Sequence, residues 1–130
     1  MKTIRTDLLD VAFPADFTPG ARSAATTCLR IQPTEKVTLI TDDATIEIAA
    51  SIARELQALL CPWNGFVLEE LAQRPLTGMP AEVLGDMETS QVSIFAVQVQ
   101  LNELLSRRQM TDVVNRRRMR HARSPGRSRR

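Results

Sequence analysis

The chain has 130 residues, 43% of them hydrophobic and 25% charged, which fits one globular domain and excludes a wholly disordered, collagen-like or disulfide-scaffold protein. No apolar run approaches the roughly 20 residues that cross a bilayer, and Asp7 and Asp10 interrupt any secretory apolar segment, so we expect a cytoplasmic protein with no membrane partner. Residues 1–105 carry 7 Lys and Arg against 14 Asp and Glu, whereas residues 106–130 carry 10 Arg against one Asp. This acidic body with a basic end disfavours a uniformly basic nucleic-acid-binding domain.

The first half of the chain predicts two helices around one strand. Thr18 and Pro19 form a helix start, with the threonine as N-cap, and small apolar residues follow at helical spacing. Residues 37–41 are a β-branched run that predicts a buried strand. Asp42 and Asp43 then cap the clearest helix of the chain, whose apolar face contains Ala49, Ile52, Ala53, Leu56, Leu59 and Leu60.

The second half of the chain continues the alternation. It predicts two further strands, residues 66–70 and 92–97, with a short helix between them over residues 80–87. A capping box of Ser106 and Gln109 begins a last helix that runs to about residue 120. The predicted core contains Val37, Leu39, Ile52, Leu56, Leu59, Val67, Ile94 and Phe95.

This order of elements predicts the fold class and the division of the chain. Strands that alternate with helices are typical of a parallel sheet with right-handed crossovers. We therefore expect a small three-layer α/β unit, Rossmann-like or flavodoxin-like, with a short and mainly parallel sheet of about three strands. It would occupy residues 18–122, after an N-terminal arm over residues 1–17 and before a disordered, arginine-rich tail over residues 123–130.

The predicted ends of the first two strands carry the candidate ligand-facing residues Asp42, Asp43, Glu69 and Glu70. No G-x-G-x-x-G or G-x-x-x-x-G-K-[ST] motif is present, which disfavours dinucleotide and P-loop nucleotide binding. The aspartate pair could hold magnesium as in a phospho-receiver domain, but the acceptor Asp and later Lys of such a site are missing, so helix capping is favoured. The glutamate pair fits half of a carboxylate site or a solvated strand end.

The remaining candidate residues argue against metal and nucleophilic chemistry. Cys28, Cys61 and His121 are too scattered for a zinc site, and His121 is predicted to be a surface residue. Both cysteines fall in or at the end of apolar helical patterns, so we predict two free thiols in a reducing cytoplasm, with a disulfide between them as the alternative. The arginines at the basic end are candidates for anion binding: Arg116, Arg117, Arg118 and Arg120. Since no aromatic residue interleaves them and cations favour a helix C-terminus, nucleic acid is a disfavoured partner.

Two stretches of the sequence resemble a known family. The spacing P-x-E-x-V-x-x-x-x-D over residues 33–42 with the helix after it, and the segment 106–122, are similar to the N-terminal domain of the thermophilic-type leucyl aminopeptidases. These enzymes are co-catalytic metallopeptidases. The resemblance covers roughly residues 18–122 and rests on scaffold motifs.

The resemblance implies a function for the chain but transfers no site residue to it. In that family two divalent metal ions, of the zinc, cobalt or manganese class, are held in a C-terminal domain that this chain does not include, so no catalytic or metal-binding residue is carried over. The implied function is a non-catalytic N-terminal scaffold domain that is inactive alone and has no cofactor of its own. The resemblance also implies that the chain is truncated or frameshifted after Ala122, which would leave one edge of its sheet uncovered. Its implied partner is the metallopeptidase domain, and homo-oligomerisation stays open. The alternative is a stand-alone module that binds nucleic acid or an acidic partner through its arginine-rich end.

Overall fold

A four-stranded parallel sheet forms the centre of the protein. The computed structural model describes residues 6–98 and 100–123. The strands are β1 (Val37–Thr41), β2 (Trp63–Val67), β3 (Val92–Ala96) and β4 (Arg120–Arg123), in the order β2-β1-β3-β4. The helices are α1 (Thr18–Ser23), α2 (Ile46–Ala58), α3 (Ala81–Met87) and α4 (Leu104–Arg117). No helix of the described segments is long and apolar enough to span a membrane.

Each face of the sheet buries its own hydrophobic cluster, because successive side chains of a strand point to opposite faces. In β1, Val37 and Leu39 belong to the cluster that contains residues of α1 and α2. Ile40 belongs to the opposite cluster, which contains residues of α3 and α4. The protein is therefore a three-layer α/β unit, as the element order predicts. Of the predicted core, seven residues are buried and Leu59 is half-buried.

The sheet has four strands where the sequence predicts about three. The last helix does not reach residue 120 but ends at Arg117, and Arg118 follows in the left-handed conformation with φ 55°. The chain then forms β4, which pairs in parallel with β3 from Val92 to Phe95. The four residues of β4 include two arginines and do not alternate between apolar and polar. The sequence therefore shows no strand pattern here, and β4 is a strand because its backbone pairs with β3.

Three smaller predictions also need correction. The first helix has no threonine cap, because the 3₁₀ turn Ala15–Phe17 runs directly into α1, and α1 continues as a π-helical turn, Ala24–Cys28. The second strand begins at Trp63 and ends at Val67, so Glu69 and Glu70 lie in the 3₁₀ turn Leu68–Glu70 after it. The capping box is absent because α4 begins at Leu104, so Ser106 lies inside the helix and its hydroxyl donates to the Glu103 carbonyl at 2.8 Å, while Gln109 accepts from the Met79 amide.

The residues before α1 contribute to the core. Leu8, in the 3₁₀ turn Thr6–Asp10, is fully buried in the cluster that also contains Ala21 and Ile52. Most of the predicted tail, residues 124–130, lies outside the described residues.

The sheet has a crevice beyond the carboxyl ends of its two central strands, β1 and β3, which lie side by side. The chain leaves β1 towards β2 on one side and leaves β3 towards β4 on the other. In open α/β sheets the carboxyl ends of such diverging strands are the usual place for a ligand. Here those ends are Thr41, which is followed by Asp42, and Ala96, which is followed by Val97 and Gln98.

Candidate functional site

The position beyond the ends of β1 and β3 is occupied by the side chain of Arg74. This residue comes from the loop between the turn Leu68–Glu70 and α3, and its side chain is only 8% exposed. Its Nε lies 2.5 Å from Glu103 Oε2 and its Nη2 lies 2.8 Å from Glu103 Oε1. Nη1 reaches Asp42 Oδ2 at 3.2 Å, and Nη2 lies 3.5 Å from the Gln98 carbonyl oxygen. The guanidinium therefore joins residues that follow β1 and β3.

Asp42 is held on all sides by groups of the same protein. Its Oδ1 accepts hydrogen bonds from the Thr45 amide at 3.0 Å and from the Thr45 hydroxyl at 2.5 Å. Its Oδ2 accepts from the Gln98 amide at 3.0 Å in addition to Arg74. The extended backbone of Asp42, with φ −136° and ψ 176°, is the conformation of an N-cap, so the predicted capping role is confirmed for the turn that leads into α2.

The other acidic residues predicted at this edge differ in their placement. Glu69 Oε2 lies 3.1 Å from Arg74 Nη1, and its Oε1 accepts from the Asp43 backbone amide at 3.0 Å. Asp43 therefore contacts Glu69 through its backbone amide, and Asp43 itself is exposed. Glu70 is also exposed, in the same turn as Glu69. Of these four predicted residues, Asp42 and Glu69 have carboxylates that contact the guanidinium of Arg74.

Glu103 is a central residue that sequence reasoning missed. It precedes α4, its side chain is 4% exposed, and its Oε2 also accepts from the Leu76 amide at 2.7 Å. It therefore fixes both the side chain of Arg74 and the backbone of the loop that carries it. Since Arg74 and Glu103 are 29 positions apart, no helical or strand spacing relates them. The sequence offered one indication of this ion pair, namely that Arg74 is a charged residue in a loop between apolar elements.

The surroundings of Arg74 favour the charged form of its guanidinium. Burial on its own would lower the pKa of Arg74, but the hydrogen bonds that it donates to Glu103 and Asp42, together with the negative charges of Glu103 and Glu69, outweigh burial and raise the pKa. Three carboxylates, those of Asp42, Glu69 and Glu103, surround this single guanidinium. Removing one partner of a buried ion pair costs about 3–5 kcal/mol, because the other charge stays buried without compensation. Arg74 is therefore required to hold these carboxylates together.

The cluster does not fit a divalent metal ion. The oxygens that would ligate a cation already accept hydrogen bonds from Arg74 or from backbone amides. A guanidinium in hydrogen-bond contact with each carboxylate also repels a dication. Across the described ranges, no three His, Cys, Asp or Glu side chains are grouped so that they could hold a metal ion.

The candidate anion-binding arginines are dispersed by the fold. Arg116 contacts Glu88, and Arg117 Nη1 donates to the Met87 carbonyl at 2.7 Å and to the Ser90 carbonyl. Arg120 Nε donates to the Leu29 carbonyl at 2.8 Å, and its Nη2 contacts Glu35. Arg118 is exposed at the end of α4.

These contacts give three of the four arginines a structural role. Arg116 and Arg117 attach α4 to the end of α3, and Arg120 attaches β4 to the segment before β1. A surface that grips phosphates needs several free cations side by side. Arg118 alone among the four makes no such contact in the described part of the chain.

The prediction of a surface histidine is wrong. His121 is half-buried in β4, and its Nδ1 lies 2.5 Å from the hydroxyl of Ser93 on β3. Burial lowers the pKa of His121 to about 4, and the charge of Arg123 adds to this effect. The imidazole is therefore neutral at neutral pH and joins two strands.

The predicted free thiols are confirmed. Cys28 is exposed and Cys61 is buried, and neither forms a disulfide. Burial raises the pKa of the Cys61 thiol, which disfavours the reactive thiolate.

No model of a known protein family matches the chain, and no curated protein matches it either.

Proposed function

We propose that this chain is a non-catalytic N-terminal scaffold domain of a leucyl aminopeptidase-like metallopeptidase. Its partner in this role is a metallopeptidase domain that carries two divalent metal ions of the zinc, cobalt or manganese class. The single observation that carries the non-catalytic part is the position of Arg74. Its guanidinium occupies the place beyond β1 and β3 where an α/β protein would bind a ligand, and it is paired there with Asp42 and Glu103.

The distribution of the other candidate groups supports the same proposal. A co-catalytic centre needs several Glu, Asp and His ligands that converge on a pair of metal ions. His121 lies opposite Ser93, whereas Asp42 follows Thr41, which lies opposite Ala96. A separation of about four residues along neighbouring strands is roughly 13 Å. His121 and the carboxylates around Arg74 therefore lie at different positions along the strands, too far apart to share a metal centre.

The identity of the larger protein is supported by the resemblance of residues 18–122 to the N-terminal domain of the thermophilic-type leucyl aminopeptidases. A scaffold domain contributes packing surface and leaves the chemistry to its partner. In the complete enzyme the metal ions of the partner domain would activate the water that attacks the N-terminal peptide bond. The residues of this chain would contribute no ligand to that step.

Two measurements on the purified chain test the proposal. The first is hydrolysis of leucine p-nitroanilide with added zinc, cobalt or manganese, where we expect no turnover above the metal alone. The second is gel filtration with a separately produced metallopeptidase domain of a thermophilic-type leucyl aminopeptidase, where we expect a one-to-one complex. Metal-dependent turnover that is lost in Asp42→Asn or Glu69→Gln would contradict the non-catalytic role. Failure to form the complex would contradict the scaffold role.

A further inference from the structure

We propose that the outer edge of β4 binds an extended acidic segment of a partner protein, which adds to the sheet as a fifth strand. β4 is the last strand in the order β2-β1-β3-β4, and among the described residues it pairs only with β3. A strand at a sheet edge presents unpaired amide and carbonyl groups that can receive another strand. This inference does not depend on the scaffold role.

The backbone of β4 shows which groups face outwards. The Arg120 amide donates to the Gln91 carbonyl at 3.2 Å, so this residue directs its hydrogen-bonding groups towards β3. Consecutive residues of a strand alternate in this direction. His121 and Arg123 therefore direct their amide and carbonyl groups away from β3, towards the open edge. Two outward residues provide two amides and two carbonyls for an added strand.

The charges at this edge select the chemistry of the partner. Arg118 lies two residues before β4 and is exposed, and Arg123 is the exposed last residue of β4. The Arg123 guanidinium lies 6.0 Å from the centre of the Phe95 ring, and within the described segments neither arginine forms an ion pair. The edge thus has an uncompensated positive charge near each end. An added strand with carboxylates at these positions gains charge-assisted hydrogen bonds.

A second copy of this chain does not fit the edge. Antiparallel pairing of two β4 strands would set the outward residues His121 and Arg123 of one copy opposite the same two residues of the other, so Arg123 would face an arginine or a histidine and gain no opposite charge. Nucleic acid fits less well than a peptide strand, because Arg116, Arg117 and Arg120 are already bound within the protein. Phosphates would also leave the outward amides and carbonyls of β4 without their natural partners.

A short peptide is the direct probe of this edge. We expect a nine-residue peptide of alternating glutamate and valine to bind the full chain and to slow hydrogen exchange at the amides of His121 and Arg123, measured by NMR. The matched peptide of alternating lysine and valine has the same length and β propensity but the opposite charge. We expect it to bind at least about tenfold more weakly, since two favourable charge contacts become repulsive.

Three variants separate the backbone from the charge. Arg123→Ala removes one charge and keeps the amide, whereas Arg123→Pro removes both and leaves the pairing of β4 with β3 intact, because proline is tolerated where an edge amide faces solvent. We expect the affinity for the glutamate peptide to fall in the alanine variant and to fall about tenfold further in the proline variant. Arg118→Glu should weaken binding, while the control Arg108→Glu, exposed on α4, should not.

The proposal is overturned if the lysine peptide binds as well as the glutamate peptide, or if the amides of His121 and Arg123 gain no protection. Equal affinity of Arg123→Pro and Arg123→Ala would show that the backbone edge is not used. A DNA or RNA oligonucleotide that binds more tightly than the glutamate peptide would also overturn it. Circular dichroism of each variant establishes that the fold is retained.

Discussion

Arg74 and Glu103 form a two-point ion pair, with Nε to Oε2 at 2.5 Å and Nη2 to Oε1 at 2.8 Å, between residues that are 29 positions apart. The pair connects the loop before α3 to the start of α4, directly beyond the ends of β1 and β3. Both side chains are at least nine-tenths buried. A planar guanidinium matches a carboxylate at two points, and this geometry is specific to arginine.

We expect Arg74→Met to lower the free energy of unfolding by about 3–5 kcal/mol, since it leaves Glu103 and Asp42 buried without their cation. Arg74→Lys should recover only part of this loss, because an ammonium cannot bind Glu103 at two points. Urea unfolding measures both values. Arg108→Met is the matched control, because Arg108 is exposed, and it should change stability by less than about 0.5 kcal/mol. Equal losses at the two positions would refute the role of the ion pair.

Two variants of Asp42 separate its contribution to stability as a helix cap from its contribution as the charge that faces Arg74. Asp42→Asn keeps an oxygen for the Thr45 amide but loses the negative charge that faces Arg74. Asp42→Ala loses both, so we expect it to be about 1 kcal/mol less stable than the asparagine variant. Thermal unfolding followed by circular dichroism would show the order wild type, Asn, Ala. A reversed order of the two variants would mean that Asp42 does not act as a cap.

The buried His121 predicts a pH-dependent part of the stability. The pKa of His121 is about 4 in the folded protein against an ordinary value of 6.5, so the unfolded chain binds the proton more readily. The stabilising contribution is present above pH 6.5 and is lost as the pH falls towards 4. Its full size is at most about 3 kcal/mol.

Replacing the imidazole tests this contribution. The difference in unfolding free energy between wild type and His121→Gln should change between pH 7 and pH 4 in favour of the glutamine variant. Carboxylates titrate in both proteins, so the difference isolates the histidine. A difference that stays constant over this range would show that His121 titrates normally.

The segment before α1 is expected to be essential for stability. Leu8→Ala should cost about 2–5 kcal/mol, the usual range for a leucine truncated in a core, because Leu8 is fully buried among residues of α1 and α2. Leu104→Ala makes the same chemical change at a side chain that is 67% exposed, and it should be nearly neutral. Chemical denaturation of both variants makes the comparison. If Leu8→Ala were as mild as Leu104→Ala, the segment would not belong to the core.

The parts of the fold that the sequence predicts well are those with a strong local pattern. β1 and α2 have clear hydrophobic periodicity, and Asp42 was predicted as a cap from its place between them. β4 was missed because Arg120 and Arg123 give it no apolar alternation, and its pairing with β3 is decided by the tertiary structure. The relationship between Arg74 and Glu103 was missed for the same reason. It exists only once α3 and α4 have packed on one face of the sheet.

The most direct test of the central claim, that Arg74 fills the crevice beyond β1 and β3, is the hydrogen-exchange rate of the Arg74 Nε–H group, measured by ¹⁵N NMR. The buried pair with Glu103 predicts slow exchange in wild type, fast exchange in Glu103→Gln, and no change when zinc or manganese is added. Fast exchange in the wild-type protein, or displacement of the Arg74 signal by the metal, would show that the crevice is open and that its carboxylates are available to a ligand.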